Sequence, residues 1–478
     1  MERIGIFINN EEIFTDNNME VRDPGNLSTV VGHVSLGDKM HVDQAVRAAH
    51  EAFLTWREKD VEERKALLAQ AAKVVHESAS KYKEILISEH GGVLWEAETD
   101  FLLGSGTLQL YSSMDSSYFG PDHQELENGW IKVEKQPKGV VSAIVPWNMP
   151  MVLTMMKVGP ALVSGNTLVI KPSPTAPIAL TKVLKDIASL LPKGVINVLH
   201  GDGDVGEAMT KHPLVRKVAF TGGTNTGAMV MANAASSIKE VTLELGGNDP
   251  AIILDDVNPS EIIPKLLKGV FTRSGQICFA VKRIYVPRPM LDQFYDQFCE
   301  AVDEYKVGHG LNEEASFGPM NNKKQYDIVM KIIEDTKNSN AVVRVLGKKI
   351  DPENWENGYY ILPHVVKTDD YSLDVVTQEQ FGPIIPIMPY DTIEDAIRLA
   401  NDSEQGLCSS VWSNDIDNAY KVARKIEAGS TFINSHSFDS LSLGMPFGGV
   451  KQSGIGRELS IEDTLKSYVE PHAIRYIK

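Results

Sequence analysis

The feature that most constrains the fold is an alternation of apolar strands with helices, which begins at residue 139. Alternation of this kind predicts a parallel, doubly wound sheet, which binds its ligand at the carboxyl ends of the strands. Within the series, the helix of residues 178–191 is expected to end at Pro192. The expected strands are residues 140–145, 167–170, 195–199, 217–220 and 241–245.

A second series of the same kind begins near residue 250, with strands expected at residues 251–254, 283–286, 342–346 and 384–389. A chain of 478 residues is also longer than one hydrophobic core usually supports. The sequence therefore predicts an α/β protein of two or three domains. We expect a ligand pocket where the two α/β domains meet.

Composition and charge exclude several classes of protein. The 42% hydrophobic and 23% charged residues are those of an ordinary globular protein, and the formal net charge of -17 disfavours nucleic acids and anionic membranes. The first residues lack the apolar segment of an export signal, and no run of residues is apolar enough to span a membrane. The three cysteines have no metal-ligand spacing, which favours the cytoplasm, no disulfide and no metal site.

One of these cysteines, Cys278, lies in a stretch that suits a nucleophile. Polar residues 273–276 interrupt the apolar sequence just before it, so the thiol is expected on a turn or at a helix start. Backbone N–H groups at such a position favour the thiolate. An inert structural cysteine is the alternative that this stretch allows.

Two upstream residues supply the partners that acyl transfer needs. Glu244 directly follows an apolar strand, and Asn148 is fixed between two prolines. Each has a simpler reading, because Glu244 suits a solvated strand end and Asn148 suits a turn. Together with Cys278 they provide a nucleophile, a donor for the oxyanion and a base for water.

Seven short segments resemble, in the same order, those of the aldehyde dehydrogenase family: residues 146–150, 169–173, 220–222, 244–247, 275–278, 379–383 and 446–449. The resemblance implies a Rossmann-like dinucleotide-binding domain, a catalytic α/β domain and a small β oligomerisation arm. The implied ranges are 1–118 and 138–246 for the first, 247–450 for the second, and 119–137 and 451–478 for the arm. Its strand-like segments, 130–135 and 467–477, would pair with another subunit in a homodimer or homotetramer.

The resemblance also implies an activity, the oxidation of an aldehyde to a carboxylic acid with NAD(P)+ and water. Cys278 would form a thiohemiacetal and then a thioester, Asn148 would hold the oxyanion, and Glu244 would activate water. An uncharged aliphatic or aromatic aldehyde is the expected substrate, and a semialdehyde or hydroxyaldehyde is the alternative. An anionic substrate would need a cation, for which Arg273 and His436 are the candidates. The last alternative is a structural relative without activity, although such a chain would be expected to lose one of the three catalytic residues.

The phosphates of the cofactor are expected at residues 220–227, an uncharged loop that opens a helix after a strand. Relatives usually carry Ser at the position of Gly223, so one side-chain donor is missing there. Residues 201–206 also fit a dinucleotide fingerprint by letter. Asp202 and Asp204 would repel a pyrophosphate, so this loop is expected on the adenosine side instead.

The choice between NAD and NADP depends on the ribose. Lys171 is expected to contact it, and Pro174 stands where relatives that prefer NAD often carry glutamate. NAD is therefore expected as cofactor, and NADP is possible. Glu379 and Phe381 match the family positions that hold the nicotinamide ribose and ring. The cofactor residues implied in this way are Ile144, Val145, Pro146, Trp147, Lys171, Ser173, Pro174, Gly203, Gly206, Phe220, Thr221, Gly222, Gly223, Thr224, Gly227, Leu245, Gly246, Glu379 and Phe381.

An apolar substrate tunnel is implied by the family layout, although each of its residues would also suit an ordinary core. The segment of residues 434–446, which normally borders the tunnel mouth, is about two residues longer than in many relatives. The tunnel residues are expected to be Met149, Leu153, Met156, Ile277, Phe279 and Phe447.

Overall fold

A computed structural model describes residues 2–442 and 444–478. Its strands are β1 (Arg3–Ile4), β2 (Ile6–Ile8), β3 (Glu11–Ile13), β4 (Asn18–Asp23), β5 (Asn26–Ser35), β6 (Asp122–Leu126), β7 (Gly129–Pro137), β8 (Val140–Ile144), β9 (Thr167–Lys171), β10 (Ile196–Val198), β11 (Val215–Thr221), β12 (Glu240–Glu244), β13 (Asp249–Ile253), β14 (Val281–Pro287), β15 (Lys306–Val307), β16 (Val342–Val345), β17 (Lys348–Lys349), β18 (His364–Lys367), β19 (Ile384–Tyr390), β20 (Gln405–Gly406), β21 (Cys408–Trp412), β22 (Ser430–Ile433), β23 (Val450–Lys451), β24 (Gly454–Ile455) and β25 (Val469–Ile477). Its α-helices are α1 (Lys39–Trp56), α2 (Val61–His90), α3 (Leu94–Ser112), α4 (Pro150–Val163), α5 (Ile178–Ala188), α6 (Gly203–Lys211), α7 (Thr224–Ala235), α8 (Pro259–Phe271), α9 (Leu291–Asp303), α10 (Lys323–Lys337), α11 (Asp374–Thr377), α12 (Ile393–Asn401), α13 (Ile416–Ala423) and α14 (Ile461–Lys466).

The first large sheet has the strand order β24-β12-β11-β8-β9-β10-β2-β3. Its five central strands, β12 to β10 in that order, are parallel, whereas β24 and β2 join the two ends antiparallel. Every strand predicted in the first series is present, with ends shifted by one or two residues. The chain order reverses between β11 and β8, and a doubly wound sheet opens its ligand crevice at such a point.

The second large sheet has the order β16-β18-β19-β14-β13-β21-β22. Its strands are parallel except β16, which pairs antiparallel with β18 at one edge. The central strands β13, β14, β19 and β21 are buried along their whole length, as expected of a parallel sheet that is covered on both faces. The predicted α/β architecture of doubly wound sheets is therefore confirmed.

The predicted arm strands are β7 and β25, which pair antiparallel with each other over their full length, with β6 on the other side of β7. Strand β25 lies at the edge of this small sheet and is exposed after its first residue. Earlier in the range 451–478, β24 pairs with β12 of the first large sheet, and α14 contacts α4. The division of the chain at residues 118, 137, 246 and 450 stays a prediction.

Candidate active site

The candidate nucleophile, Cys278, lies three residues before β14 and is half-buried. A 3-10 turn over Thr272–Gly275 precedes it, and two residues of this turn, Arg273 and Ser274, have left-handed φ angles of 56° and 57°. Such angles are costly for residues other than glycine, and buried contacts must hold them. The turn carries the chain from α8 into the pocket, where the sequence predicted a thiol after a turn.

Asn148 follows β8 and is held against the nucleophile segment. Its Nδ2 donates a hydrogen bond to the carbonyl oxygen of Gln276 at 2.9 Å, and its own carbonyl oxygen accepts one from Nε of Arg273 at 3.1 Å. A carboxamide nitrogen carries two hydrogens, so the bond to Gln276 leaves one for a ligand. Asn148 and Cys278 line the same two cavities.

The first of these cavities is an apolar tunnel of about 80 Å³. All six residues predicted for the tunnel line it, and no charged side chain is among the described residues around it. Three phenylalanine rings meet there, with Phe279 edge-on to Phe438 at 5.2 Å and to Phe447 at 5.8 Å between ring centres. Its full lining is Leu103, Thr107, Asn148, Met149, Val152, Leu153, Met156, Ile277, Cys278, Phe279, Phe438, Leu441, Ser442, Phe447 and Leu459.

Neither cationic candidate lines this tunnel. The guanidinium of Arg273 is buried, donates to the carbonyl oxygens of Asn148 and His90, and lies 3.8 Å from a carboxylate oxygen of Glu96. His436 is also buried. One ring nitrogen of His436 lies 2.9 Å from the hydroxyl of Ser410, and the other lies 2.8 Å from the carbonyl oxygen of Phe279. Both side chains therefore contact protein groups outside the tunnel.

On the other side of the thiol lies an inner pocket of about 230 Å³. Predicted cofactor residues line it together with Asn148, Leu153, Cys278 and two residues of α10, Gln325 and Ile328. The ring of Phe381 lies edge-on to that of Trp147 at 5.7 Å. The predicted residues around this pocket are Pro146, Trp147, Thr221, Gly222, Gly223, Leu245, Gly246, Glu379 and Phe381.

The inner pocket shares residues 146–147 and 221–223 with an outer cleft of about 870 Å³. This cleft runs along the carboxyl ends of β8, β9 and β11, where the alternating pattern placed a ligand. Thr224 and Gly227 do not line it: Oγ1 of Thr224 lies 3.4 Å from the carbonyl oxygen of Gln452, and Gly227 packs against the side chain of Leu245. The predicted residues that do are Ile144, Val145, Pro146, Trp147, Lys171, Ser173, Pro174, Gly203, Gly206, Phe220, Thr221, Gly222 and Gly223.

Glu244, the predicted base, ends β12 and is buried outside the tunnel and the inner pocket. No described residue makes a hydrogen bond to either of its carboxyl oxygens. One of these oxygens would lie only 2.6 Å from a Cβ at Gly448, so this glycine makes room for it. Burial raises the pKa of Glu244 well above its usual value, and the nearby carboxylate of Glu458 raises it further.

The surroundings of Cys278 also disfavour its charged form. Burial raises the pKa of the Cys278 thiol to about 12, and the carboxylates of Glu379, Asp249 and Glu244 act in the same direction. The ammonium of Lys282 is the group that lowers this pKa.

Among the residues that the structure describes, no group of acidic, histidine or cysteine side chains is arranged to hold a metal ion. The same ranges contain no helix with the length and hydropathy of a membrane span.

The sequence profile of the aldehyde dehydrogenase family matches residues 12–474. An aldehyde dehydrogenase of Agaricus bisporus is 34% identical over 478 residues, which cover 98% of this chain and 94% of that protein. The chain belongs to the aldehyde dehydrogenase family.

Solved structures place this aldehyde dehydrogenase in the same fold. A point mutant of betaine aldehyde dehydrogenase from Staphylococcus aureus, in complex with NAD+, has a TM-score of 0.94 at 31% identity and covers 99% of this chain and 97% of that one. A further structure of the same enzyme with NAD+ has a TM-score of 0.92 at 31% identity, over 99% of this chain and 95% of that one. The family resemblance predicted from the seven segments is confirmed, and with it the class of enzyme.

Sequence reasoning on this aldehyde dehydrogenase missed a group of residues at the outer cleft. Asn322, Lys324 and Gln325 come from the start of α10, and they lie outside every cofactor motif along the chain. No local pattern marks them, because only the packing of the second α/β unit against the first brings them to the cleft. Thr226 was within reach of prediction, since it lies in the loop of residues 220–227 that was expected to bind the phosphates.

Proposed function

We propose that this aldehyde dehydrogenase oxidises uncharged aliphatic or aromatic aldehydes to carboxylic acids, with NAD+ preferred and NADP+ tolerated. The observation that carries the proposal is the position of Cys278 and Asn148 between two cavities. An aldehyde in the apolar tunnel would reach the thiol from one side. A cofactor ring in the inner pocket would reach the same reacting carbon from the other.

The residues of the cleft fit a dinucleotide. Helix α7 opens at Gly223 without a side-chain cap, so its first N–H groups are free for a phosphate, and no carboxylate stands beside them at residues 220–224. Lys171 lines the same cleft. Glu379 and Phe381 line the inner pocket, where the resemblance implies the nicotinamide ribose and ring. When bound there, NAD+ accepts a hydride from the substrate carbon.

The side chains of the protein carry out the covalent steps. The thiolate of Cys278 attacks the carbonyl carbon, and a thiohemiacetal forms whose oxyanion takes hydrogen bonds from Nδ2 of Asn148 and the N–H of Cys278. Loss of the hydride leaves a thioester on the sulfur. Water then attacks the thioester, its proton passes to Glu244, and the acid leaves as the thiol is restored.

For the last step, the carboxyl of Glu244 must turn from its buried position toward the thioester. Its two oxygens hold no hydrogen bond that this rotation would break. A raised pKa also makes the ionised carboxylate a stronger base for water. Glu244 therefore stays buried while the thioester forms, and it activates water only in the hydrolysis that follows.

The preference for an uncharged substrate follows from the tunnel. A semialdehyde would carry its carboxylate into a wall of Met, Leu, Ile and Phe side chains without a cation among its described residues, and an unpaired buried charge costs several kcal/mol. Among the described residues of the tunnel, a hydroxyaldehyde would find only Thr107 and Ser442 as hydroxyl partners. Betaine aldehyde, which names the two structural relatives, carries a quaternary ammonium that binds to the open faces of aromatic rings, whereas Phe438 and Phe447 pack edge-on with Phe279.

A panel of aldehydes tests the proposal. Hexanal and benzaldehyde represent the expected substrates, and succinic semialdehyde, glycolaldehyde and betaine aldehyde represent the charged or polar ones. We expect kcat/KM, measured by NADH formation, to be about 100-fold higher for the first pair, which corresponds to about 2.7 kcal/mol of discrimination. A semialdehyde that is the best substrate would overturn the assignment of the substrate class, and no NADH with any aldehyde would overturn the activity.

We also infer a homo-oligomer, a dimer or a tetramer. Strand β25 leaves one edge unpaired, and its residues Ile474, Tyr476 and Ile477 are exposed apolar side chains. A long apolar edge of this kind favours pairing with a second copy.

A further inference from the structure

We propose that Lys282 supplies the positive charge that makes Cys278 a nucleophile and that Glu379 controls how much of this charge the sulfur experiences. Lys282 is the second residue of β14 and is buried. It belongs to none of the motifs that identified the site. The inference rests on the proposed role of Cys278 as the nucleophile.

The ammonium of Lys282 is fixed by the nucleophile segment itself. Its Nζ donates to the carbonyl oxygens of Ile277 at 2.9 Å, Cys278 at 2.8 Å and Ala280 at 3.4 Å. These three bonds use all three hydrogens of an ammonium group. The lysine therefore holds the loop on both sides of the thiol and keeps its charge beside the sulfur-bearing residue.

The fourth neighbour of Lys282 is the carboxylate of Glu379, whose Oε1 lies 3.5 Å from Nζ. At that distance the pair is electrostatic, while Oε1 accepts a hydrogen bond from the N–H of Gly247 at 3.1 Å. Gly246 lies so close to the other oxygen that a Cβ there would collide with it. The carboxylate is thus held between this backbone and the lysine, and it lines the inner pocket beside Cys278.

This arrangement lets Glu379 change partners without disturbing the lysine. If hydroxyl groups of a ribose draw the Glu379 carboxylate away, Lys282 keeps its three carbonyl acceptors and loses only a neutralising charge. The uncompensated ammonium then favours the thiolate more strongly. Occupation of the inner pocket would therefore activate the thiol before the aldehyde arrives.

Every charged group that faces the thiol enters this balance. Lys282 lowers the pKa of Cys278, whereas burial, Glu379, Asp249 and Glu244 raise it. Glu379 depends on the lysine in turn, because burial raises its own pKa and Lys282 lowers it. Cys408 is a further buried neighbour, and burial keeps its thiol neutral. Without Lys282, the pKa of Glu379 is expected to rise further.

The test measures the thiol directly, in the absence of cofactor and aldehyde. Alkylation of Cys278 by iodoacetamide is followed against pH, with the modified peptide identified by mass spectrometry, because Cys299 and Cys408 are buried and react more slowly. We expect Lys282→Met to lower the alkylation rate at a given pH about 10-fold or more, which is a rise of about one unit in the thiol pKa. Lys282→Arg keeps the cation and should stay near the wild type.

Glu379→Gln should act in the opposite direction and raise the rate, since it removes the neutralising carboxylate. In the double variant Lys282→Met/Glu379→Gln, the second change should have a smaller effect than in the wild type, because the loss of the lysine charge raises the pKa of Glu379 and so weakens its negative charge. A control is Lys239→Met, which also removes an ammonium that holds two backbone carbonyls, those of His212 and Val215, but outside the active site.

Wild-type alkylation rates in Lys282→Met across the pH range would overturn the inference. If that variant does not fold, an unchanged rate in Glu379→Gln would overturn it instead. Turnover of aldehydes by the wild type is assayed separately. A thiol that depends on Lys282 in a protein without aldehyde turnover would defeat the proposed function and leave the electrostatic assignment standing.

Discussion

The ammonium of Lys157 lies 3.0 Å from a carboxylate oxygen of Glu458, and both side chains are fully buried. This ion pair acts on Glu244, whose pKa is raised by Glu458 and lowered by Lys157. The pair thus shifts the pKa of the proposed base, although neither Lys157 nor Glu458 lines the tunnel. Glu244 therefore has one positive and one negative neighbour when it releases the proton that it took from water.

The first prediction follows from these opposite signs. Glu458→Gln removes a negative charge and should lower the pKa of Glu244, so the acid limb of the kcat–pH profile should move to lower pH. Lys157→Met should move the same limb to higher pH. Breaking the pair also destabilises each variant by about 3–5 kcal/mol, so the direction of the shift is the measure, rather than the rate. Shifts of the same sign in both variants would contradict this account.

A second prediction concerns the order of the covalent steps. Glu244→Gln should still release NADH in one burst per active site and then stall, because the thioester forms but water is not activated. Stopped-flow absorbance measures the burst. Cys278→Ala is the matched control, which should show no burst but still bind the cofactor. Slow steady turnover of Glu244→Gln without a burst would mean that Glu244 acts before acylation, on the thiol.

A third prediction concerns the length of the substrate. Phe438 lines the tunnel and also a neighbouring cavity of about 460 Å³, so its ring separates the two. Phe438→Ala should join them and raise the ratio of kcat/KM for dodecanal over butanal by about 10-fold, as expected when a pocket accepts further methylene groups. Phe438→Leu, which keeps much of the volume, should change the ratio little. An unchanged ratio in the alanine variant would mean that the far end of the substrate does not reach Phe438.

A fourth prediction concerns assembly. Deletion of residues 469–478 removes strand β25 and leaves β7 as the edge of a two-stranded sheet. Light scattering should then give a lower mass than for the full chain, whereas the burst of NADH should persist. A full-length protein that is already monomeric would contradict the inferred oligomer.

The sequence predicted the parts of the site that lie on local patterns. Strand β8 could be identified because it is short, apolar and followed by prolines, and Asn148 lies between those prolines. Lys171 and Glu244 were predicted at strand ends, and the parallel order of β9 and β12 in one sheet puts those ends on the same edge. The alternating pattern thus predicted the edge of the sheet at which the outer cleft lies.

Other features depend on contacts between distant segments, which no local pattern encodes. Arg273 was a candidate for the substrate until the structure showed its guanidinium bound to the carbonyl oxygens of His90 and Asn148. The role of Lys282 is of the same kind, since its partner Glu379 comes from a loop almost a hundred residues later. The role of a buried charged residue can be predicted from the sequence only when its partner is known.

The last prediction concerns the choice of cofactor at the adenosine ribose. Pro174 lines the outer cleft together with Lys171, where a carboxylate would both bond the ribose diol and repel a 2′-phosphate. Proline does neither, so we expect NAD+ to be preferred over NADP+ by only about 1–3 kcal/mol, or about 5- to 150-fold in kcat/KM. Burial lowers the pKa of Lys171 to about 8, against the opposing effect of Asp202 and Asp204.

Protonated Lys171 can neutralise a 2′-phosphate, whereas the neutral amine cannot. The preference for NAD+ should therefore widen as the pH rises through about 8, chiefly because NADP+ binds less well. Pro174→Glu should widen the preference for NAD+ at every pH. Pro174→Gln introduces a side chain of the same size as glutamate but without its charge, and it should widen the preference less. The measurement is kcat/KM for both cofactors at several pH values. A wild type that already rejects NADP+ by more than about a thousandfold would show that another group enforces the choice.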